Sequence, residues 1–143
     1  MNRLAEVSQK WGVTQDFVKE SLQRLSPLVG DSVATEIALA SRSENEFEVF
    51  LKSLSEVENP AQSVAMMFDE VNESPFSLNE WIDSIFILNE YSRTQRVAAN
   101  FETYVGYIVC CGELVEAKPG EMPLIEVVSD MLKTHGFTGG FVS

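Results

Sequence analysis

Apolar residues recur at steps of three and four along most of the chain, and short polar, glycine or proline stretches separate these runs. This spacing keeps side chains on one face of a helix, so it predicts a succession of amphipathic helices. The densest run lies in residues 77–115 and opens with Ser77-x-x-Glu80, the pattern of a helix-capping box. Trp81 and Ile85 begin its apolar face. We therefore expect residues 77–115 to form the buried centre of the fold.

A polar segment, Ser92–Arg96, interrupts this central run. Its serine and the glutamine three residues later have the spacing of a second capping box, which favours a break in the helix at this point. Residues 101–115 are then apolar around the whole helical circumference, which predicts burial on all sides. Gly106 and Gly112 lack a Cβ, so another helix could approach closely at either position. A strand over Tyr104–Cys111 is the alternative, because valine, isoleucine and tyrosine favour strands.

The other apolar runs are flanked by residues that typically begin or end helices. Serine, threonine, asparagine or aspartate before a run can cap a helix, whereas glycine ends one and proline ends or kinks one. The predicted starts are Thr14, Asp31, Ser43 (with Glu46), Asn59 (with Pro60) and Pro123, and the predicted ends are Gly12, Pro27, Gly30, Ser74 and Gly136. The pattern predicts an all-α fold, a single domain over residues 1–143. We expect a bundle of six to eight helices around a buried central helix, with residues 136–143 as a flexible tail.

Composition indicates a globular protein that needs neither a metal nor a disulfide to fold. The chain has 143 residues, of which 45% are hydrophobic and 22% charged, and about 150 residues can bury roughly 68–70% of their unfolded surface. The only cysteines, Cys110 and Cys111, point about 100° apart on a helix, so we interpret them as buried free thiols in a reducing compartment. The longest apolar stretch, between Glu102 and Glu113, is too short to span a bilayer. We expect a cytoplasmic protein that does not associate with membranes.

Charge is concentrated in the middle of the chain. The net charge is −12, and residues 43–90 hold eleven acidic residues against the single base Lys52. This distribution does not favour nucleic acid, and it suits a basic protein partner or simple solubility. The residues that we predict to form an acidic binding face are Glu44, Glu48, Asp69, Glu70, Glu73, Glu80 and Asp83. The first functional hypothesis is a non-enzymatic acidic protein-binding module, such as an inhibitor, immunity or anti-defence protein that acts on a basic nucleic-acid-handling partner.

Residues Val7–Leu22 resemble a helix-turn-helix DNA reader. The matching positions are Val7-Ser8, Trp11, Gly12-Val13-Thr14, Val18 and Leu22. Ser21 departs from the pattern, since an apolar residue is usual there. The outward face would present Asp16 and Glu20 to the phosphates, which is unfavourable. Two packed helices joined by a glycine turn are the favoured interpretation, and a DNA-binding regulator is the alternative function.

The segment Gly112–Ala117 resembles all-α nucleoside-triphosphate pyrophosphatases of the MazG type, in which a Glu-x-x-Glu pair and a later Glu-x-x-Asp pair hold Mg²⁺. Glu113 and Glu116 match the first pair, whereas Glu126 and Asp130 are one residue further apart than the second. Cys110 replaces a glutamate expected three residues before Glu113. The resemblance implies that four carboxylates could converge on Mg²⁺ if the last two helices pack antiparallel, which makes such an enzyme the third hypothesis.

The sequence offers no other catalytic set. His135 is the only histidine, so a Ser–His–Asp triad or a histidine-rich metal site has no support, and near a helix end it is expected to interact with the helix dipole. We expect no cofactor, no metal and no catalytic residue. A second copy of the chain is a further candidate partner, because a broad apolar surface in the central run could be covered by it.

Overall fold

The computed structural model describes residues 3–74, 76–96, 99–115 and 123–135. Within these ranges the chain forms eight α-helices and no strand, so the predicted all-α bundle is confirmed. The helices are α1 (Arg3–Trp11), α2 (Gln15–Val29), α3 (Asp31–Ala40), α4 (Glu44–Ser55), α5 (Pro60–Glu73), α6 (Leu78–Gln95), α7 (Phe101–Val115) and α8 (Leu124–His135). The predicted tail, residues 136–143, lies outside the described residues.

Helix α6 is the centre of the bundle. It packs against α3, α4, α5, α7 and α8. Trp81, Ile82, Ile85 and Leu88 are all buried, as the steps of three and four in this helix predict. The prediction that this part of the chain organises the fold is therefore confirmed.

Aromatic contacts join distant parts of the chain through α4. The Phe47 ring lies 5.1 Å from that of Trp11, and the Phe50 ring meets that of Phe101 edge-on, also at 5.1 Å. The indole nitrogen of Trp11 donates a hydrogen bond to the Ser41 carbonyl (3.1 Å), which satisfies its buried polar atom. These contacts fix α1 and α7 against the same helix.

Three predicted helix caps are confirmed. The side chains of Thr14, Ser43 and Asn59 each accept a hydrogen bond from a backbone N–H three residues later, at 3.1, 3.2 and 3.3 Å. Each bond satisfies one of the donors that a helix N-terminus leaves without a partner. These caps could be recognised in the sequence because both partners lie within one turn.

One predicted helix end and one predicted helix start need correction. Helix α2 does not stop or break before Pro27, since it continues to Val29 and Gly30 ends it with φ 96°. A proline this close to the C-terminus removes only one backbone hydrogen bond of the last turn. Asp31 is not the cap of α3: Gly30 occupies that position, without a side-chain bond, and Asp31 is the first helical residue.

The two capping boxes of the central run also differ from expectation. Ser77 lies at the cap position of α6, but its side chain accepts no hydrogen bond from the helix backbone. The predicted break in the segment Ser92–Arg96 is found at its end, since α6 continues past Ser92 to Gln95 and Arg96 is its C-cap. Ser92 is therefore not the cap of a new helix. Ser92 is buried, and its hydroxyl is 3.1 Å from the Tyr104 hydroxyl of α7. Ser92, which the sequence suggested as a helix cap, therefore contributes a contact between α6 and α7.

Helix α7 is less enclosed than its composition predicts. It is helical over the region where a strand was the alternative, and Phe101, Tyr104 and Ile108 are buried. Val105 and Val109, however, are only half-buried. The prediction of burial on all sides is wrong for this face, which faces the groove described next.

Candidate protein-binding groove

A groove with a volume of about 300 Å³ lies between α5 and α7. It is lined by Ser63, Met66 and Glu70 from α5 and by Phe101, Glu102, Val105, Gly106 and Val109 from α7. Phe101 is the floor residue that also packs on Phe50 of α4. The groove is thus built on the aromatic core and opens between two helices.

The floor of the groove is apolar and uncovered by the described residues. Val105 and Val109 lie four residues apart, so they share one face of α7. Gly106 lies beside them, and a Cβ added there would meet no atom within 4 Å. Met66 is 58% exposed and is the one large hydrophobic side chain exposed in the described ranges. These residues leave an open apolar strip between α5 and α7.

Acidic side chains border the same groove. Glu70 lies on its α5 edge and Glu102 on its α7 edge. The Ser63 hydroxyl donates a hydrogen bond to Oε2 of Glu102 (3.2 Å) across the groove and holds that carboxylate in place. Helix α5 contains no lysine or arginine to neutralise Glu70. The apolar floor therefore lies in a negative local field.

The predicted acidic face is divided by the structure. Glu70 lines the groove, and Asp69 and Glu73 are exposed on the same helix. Glu44 is half-buried at the first turn of α4. Asp69, Glu70 and Glu73 therefore lie together on α5, whereas Glu44 of α4 is close enough to Arg24 for its charge to raise the pKa of that arginine.

Glu48 and Glu80 interact with other parts of the chain itself. Glu48 forms a two-point ion pair with Arg24 of α2, at 2.6 and 3.0 Å, and this hydrogen bond is the main reason that the pKa of Arg24 is raised. Oε2 of Glu80 accepts a hydrogen bond from the backbone N–H of Leu124 (3.0 Å), so Glu80 caps α8 rather than its own helix. Their carboxylates already have partners within the fold.

Asp83 lies inside the protein. It is 4% exposed, and its Oδ2 accepts a hydrogen bond from Nε of Arg42 at 2.7 Å. Glu46, 9% exposed, lies beside it, and Oε1 of Glu46 accepts the backbone N–H of Arg42 at 2.9 Å. Burial, followed by the hydrogen bond with Asp83, raises the pKa of Glu46 to about 7. The expected outward display of Asp83 is therefore wrong: its carboxylate is buried, and Arg42, distant in sequence and 64% exposed at its side chain, pairs with it from the surface.

The groove residues Met66, Glu102, Val105 and Val109 were not predicted as site residues. Gly106 was the available signal: the sequence indicated that a helix could approach closely there, and in the structure the space next to its Cα is open, with nothing within 4 Å of an added Cβ. Met66 lies off the apolar face of α5 that Val64 and Met67 bury, so its exposure follows from the same periodicity.

The described residues show no further feature that supports the predicted Mg²⁺ site or the helix-turn-helix DNA reader. Glu126 and Asp130 are exposed on α8, while the side chains of Glu113 and Glu116 lie outside the described residues. Among the residues described, no group of three potential metal ligands occurs. In the helix-turn-helix segment, Ser21 is buried at 2% exposure and Asp16 and Glu20 are exposed. That face keeps the acidic side chains that disfavour contact with phosphates.

A wider, shallower cleft of about 750 Å³ lies between α1, α3 and the start of α6 and contains Arg3, Lys10 and Arg42. Lys10 already donates to the Leu39 carbonyl, and Arg42 is paired with Asp83. Two of its three cations are therefore used in internal contacts, and this cleft is a weaker candidate than the α5–α7 groove.

Comparisons with known proteins identify no relative: no family model, no curated protein and no solved structure matches the chain. None of the helices in the described ranges combines the length and apolar character needed to cross a membrane.

Proposed function

We propose that the chain is a non-enzymatic protein-binding module whose α5–α7 groove accepts an amphipathic helical segment of a basic partner. The observation that carries this proposal is an open apolar floor between two acidic edges, Glu70 and Glu102. Apolar anchors of a partner would fill the groove over Val105 and Gly106. Lysine or arginine side chains at the margins of the same segment would meet the two carboxylates.

A helical segment suits this site better than an extended one. Extended peptides commonly bind by adding a strand to the edge of a sheet, and the described ranges contain no sheet. Helix-in-groove recognition uses anchors at steps of three and four residues, which is also the spacing of Val105 and Val109 on the groove floor. The proposal therefore specifies an amphipathic helix with apolar anchors flanked by basic residues.

Charge favours a basic partner before contact is made. Asp69, Glu70 and Glu73 lie within five residues on α5, which has no base, and the net charge of the chain is −12. Such a field accelerates association with cationic surfaces and weakens as salt is added. A protein that handles nucleic acid has a cationic surface of the required kind. An inhibitory or immunity role against such a protein is the specific function that we propose.

A pair of synthetic peptides tests this function. One is an amphipathic leucine–lysine helix carrying a fluorophore, and the other has glutamate at every lysine position. By fluorescence anisotropy we expect the lysine peptide to bind and the glutamate peptide not to bind. The affinity should fall at least tenfold when salt is raised from about 50 mM to about 500 mM, because several ion pairs are screened.

Two substitutions locate the binding site. Met66→Ser removes the apolar side chain beside the groove floor without changing the charge and should reduce the affinity for the lysine peptide at least tenfold. Ala65→Ser makes a similar change at the neighbouring exposed position of α5, which does not line the groove, and should leave the affinity nearly unchanged. Equal binding of both peptides, or an unchanged affinity in Met66→Ser, would contradict the proposal. A dimer that Met66→Ser dissociates would instead assign the groove to a second copy of the chain.

A further inference from the structure

Two buried carboxyl groups meet where α4 packs against α6. Glu46 projects from the first turn of α4 and is 9% exposed, while Asp83 projects from α6 and is 4% exposed. Arg42, which precedes α4, contacts both carboxyl groups: its backbone N–H bonds to Glu46 and its side chain to Asp83. If both carboxyls were ionised, two buried negative charges would face one guanidinium whose side chain is 64% exposed, and this arrangement is costly.

One buried carboxylate oxygen in this cluster has no hydrogen-bond donor. Oε1 of Glu46 accepts the backbone N–H of Arg42, and Oδ2 of Asp83 accepts Nε of Arg42. Oδ1 of Asp83 is buried and has no hydrogen-bond donor in the described structure. Buried polar atoms almost always have partners. A proton on the Glu46 carboxyl, which lies within hydrogen-bonding reach of Asp83, would supply the missing donor.

We propose that Glu46 and Asp83 share one proton, which Glu46 donates to Oδ1 of Asp83, and that loss of this proton to solvent loosens the packing of α4 on α6. The shared proton removes the net charge of the cluster and satisfies its unpartnered oxygen in one step. Its loss leaves two buried carboxylates facing each other with a single arginine.

The charged groups that act on Glu46 come from two elements. Asp83 of α6 raises the pKa of Glu46 by its hydrogen bond and its charge, and Arg42 lowers it through its backbone N–H and its charge. Helices α5 and α7 also pack on α4 and contribute no charge to this carboxyl. Burial is the largest cause, and together these effects raise the pKa of Glu46 from 4.5 to about 7. The proton is therefore exchanged near neutral pH.

The direction of the pH dependence follows from this raised pKa. Below about pH 4.5 the folded and unfolded chains both hold the proton, and the stabilisation is complete. Between about pH 4.5 and pH 7 only the folded chain holds the proton. The equilibrium constant for unfolding therefore rises by up to tenfold per pH unit because of Glu46. Above about pH 7 the proton is lost from both states, and the stabilisation is gone.

Urea unfolding between pH 5 and pH 8.5 tests the shared proton. In Glu46→Gln the amide supplies a permanent donor to Oδ1 of Asp83, so the steep pH dependence between pH 5 and pH 7 should disappear. At pH 8.5 the equilibrium constant for unfolding of this variant should be at least tenfold smaller than that of the natural chain. Glu48→Gln is the matched control, because Glu48 lies on the same helix and pairs with Arg24 at the surface. It should keep the natural slope.

A direct titration of the unsubstituted chain complements the variants. The side-chain carboxyl ¹³C resonance of Glu46 should titrate with a midpoint near pH 7, and in Asp83→Asn that midpoint should fall by at least one pH unit. A midpoint for Glu46 below pH 5 in the unsubstituted chain would overturn the proposal. Parallel pH profiles for the natural chain and Glu46→Gln would overturn it as well.

Discussion

Glu80 gives the sharpest test of how this fold is held together, because it caps a helix that follows it by 44 residues in the chain. Its Oε2 accepts the backbone N–H of Leu124, the first residue of α8, at a distance of 3.0 Å. Leu124 itself is buried against the core. The substitution Glu80→Ala removes this acceptor and the negative charge near the start of α8, where the helix dipole favours an anion.

The expected cost follows from these two losses. Removing a side-chain cap typically costs about 1 kcal/mol, and the carboxylate adds about 0.3–1 kcal/mol through its interaction with the dipole. We therefore expect Glu80→Ala to lower the free energy of unfolding by about 1–2 kcal/mol. For a domain of this size that corresponds to a fall in Tm of roughly 3–8 °C. Glu80→Gln keeps an acceptor without the charge and should cost about half as much.

Hydrogen exchange separates this cap from a general loss of stability. In Glu80→Ala the amides of residues 124–127 should exchange faster than in the natural chain, by more than the global change in stability explains. Glu73→Ala is the control, since Glu73 is an exposed glutamate near the end of α5, and its effect should stay within about 0.5 kcal/mol. An unchanged Tm in Glu80→Ala, with unaltered exchange at the start of α8, would refute this reasoning.

Three further predictions concern single side chains. Arg96 ends α6 in the left-handed conformation, with φ 56° and ψ 42°, so Arg96→Gly should raise the free energy of unfolding by about 1 kcal/mol in urea titrations. The Tyr104 hydroxyl bonds with the side chains of Asn89 and Ser92 at 3.2 and 3.1 Å, so Tyr104→Phe should lower the free energy of unfolding by about 1–2 kcal/mol. Burial, and then the neighbouring thiol, raises the pKa of Cys111 to about 12. At pH 8 it should resist iodoacetamide in the native chain and react once urea unfolds it, as measured by mass spectrometry.

Features encoded within one helical turn could be predicted from the sequence. Thr14, Ser43 and Asn59 were identifiable as caps because each bonds to an N–H three residues away. The apolar faces of α4 and α6 followed from their periodicity. The all-α fold emerged from the same local information.

Features that depend on distant partners could not be predicted. Glu80 fits a local capping box, yet its carboxylate binds Leu124. Asp83 resembles a surface acid, yet its carboxylate is buried and pairs with Arg42, 41 residues away in sequence. Spacing alone does not say which of several local and distant donors an acidic side chain will meet, because that choice depends on how the helices pack.

The groove could be predicted only in part from the sequence. Gly106 indicated an approach site for a helix, and the structure places it in an open groove rather than in a filled interface. The seven acids predicted as one face contribute differently: Glu70 borders the groove, whereas Asp83 is internal. Total charge was therefore a poorer guide to the site than the position of the uncovered apolar residues.

The central claim is that a basic amphipathic helix binds over the apolar floor between α5 and α7. The two adjacent methionines of α5 provide the most direct measurement, since Met66 is 58% exposed in the groove and Met67 is 0% exposed in the core. With ¹³C-methyl-labelled methionine, addition of the leucine–lysine peptide should shift the Met66 methyl resonance in proportion to saturation and leave that of Met67 in place. A peptide that binds while the Met66 resonance stays fixed, or a saturating peptide that moves neither, would contradict the claim.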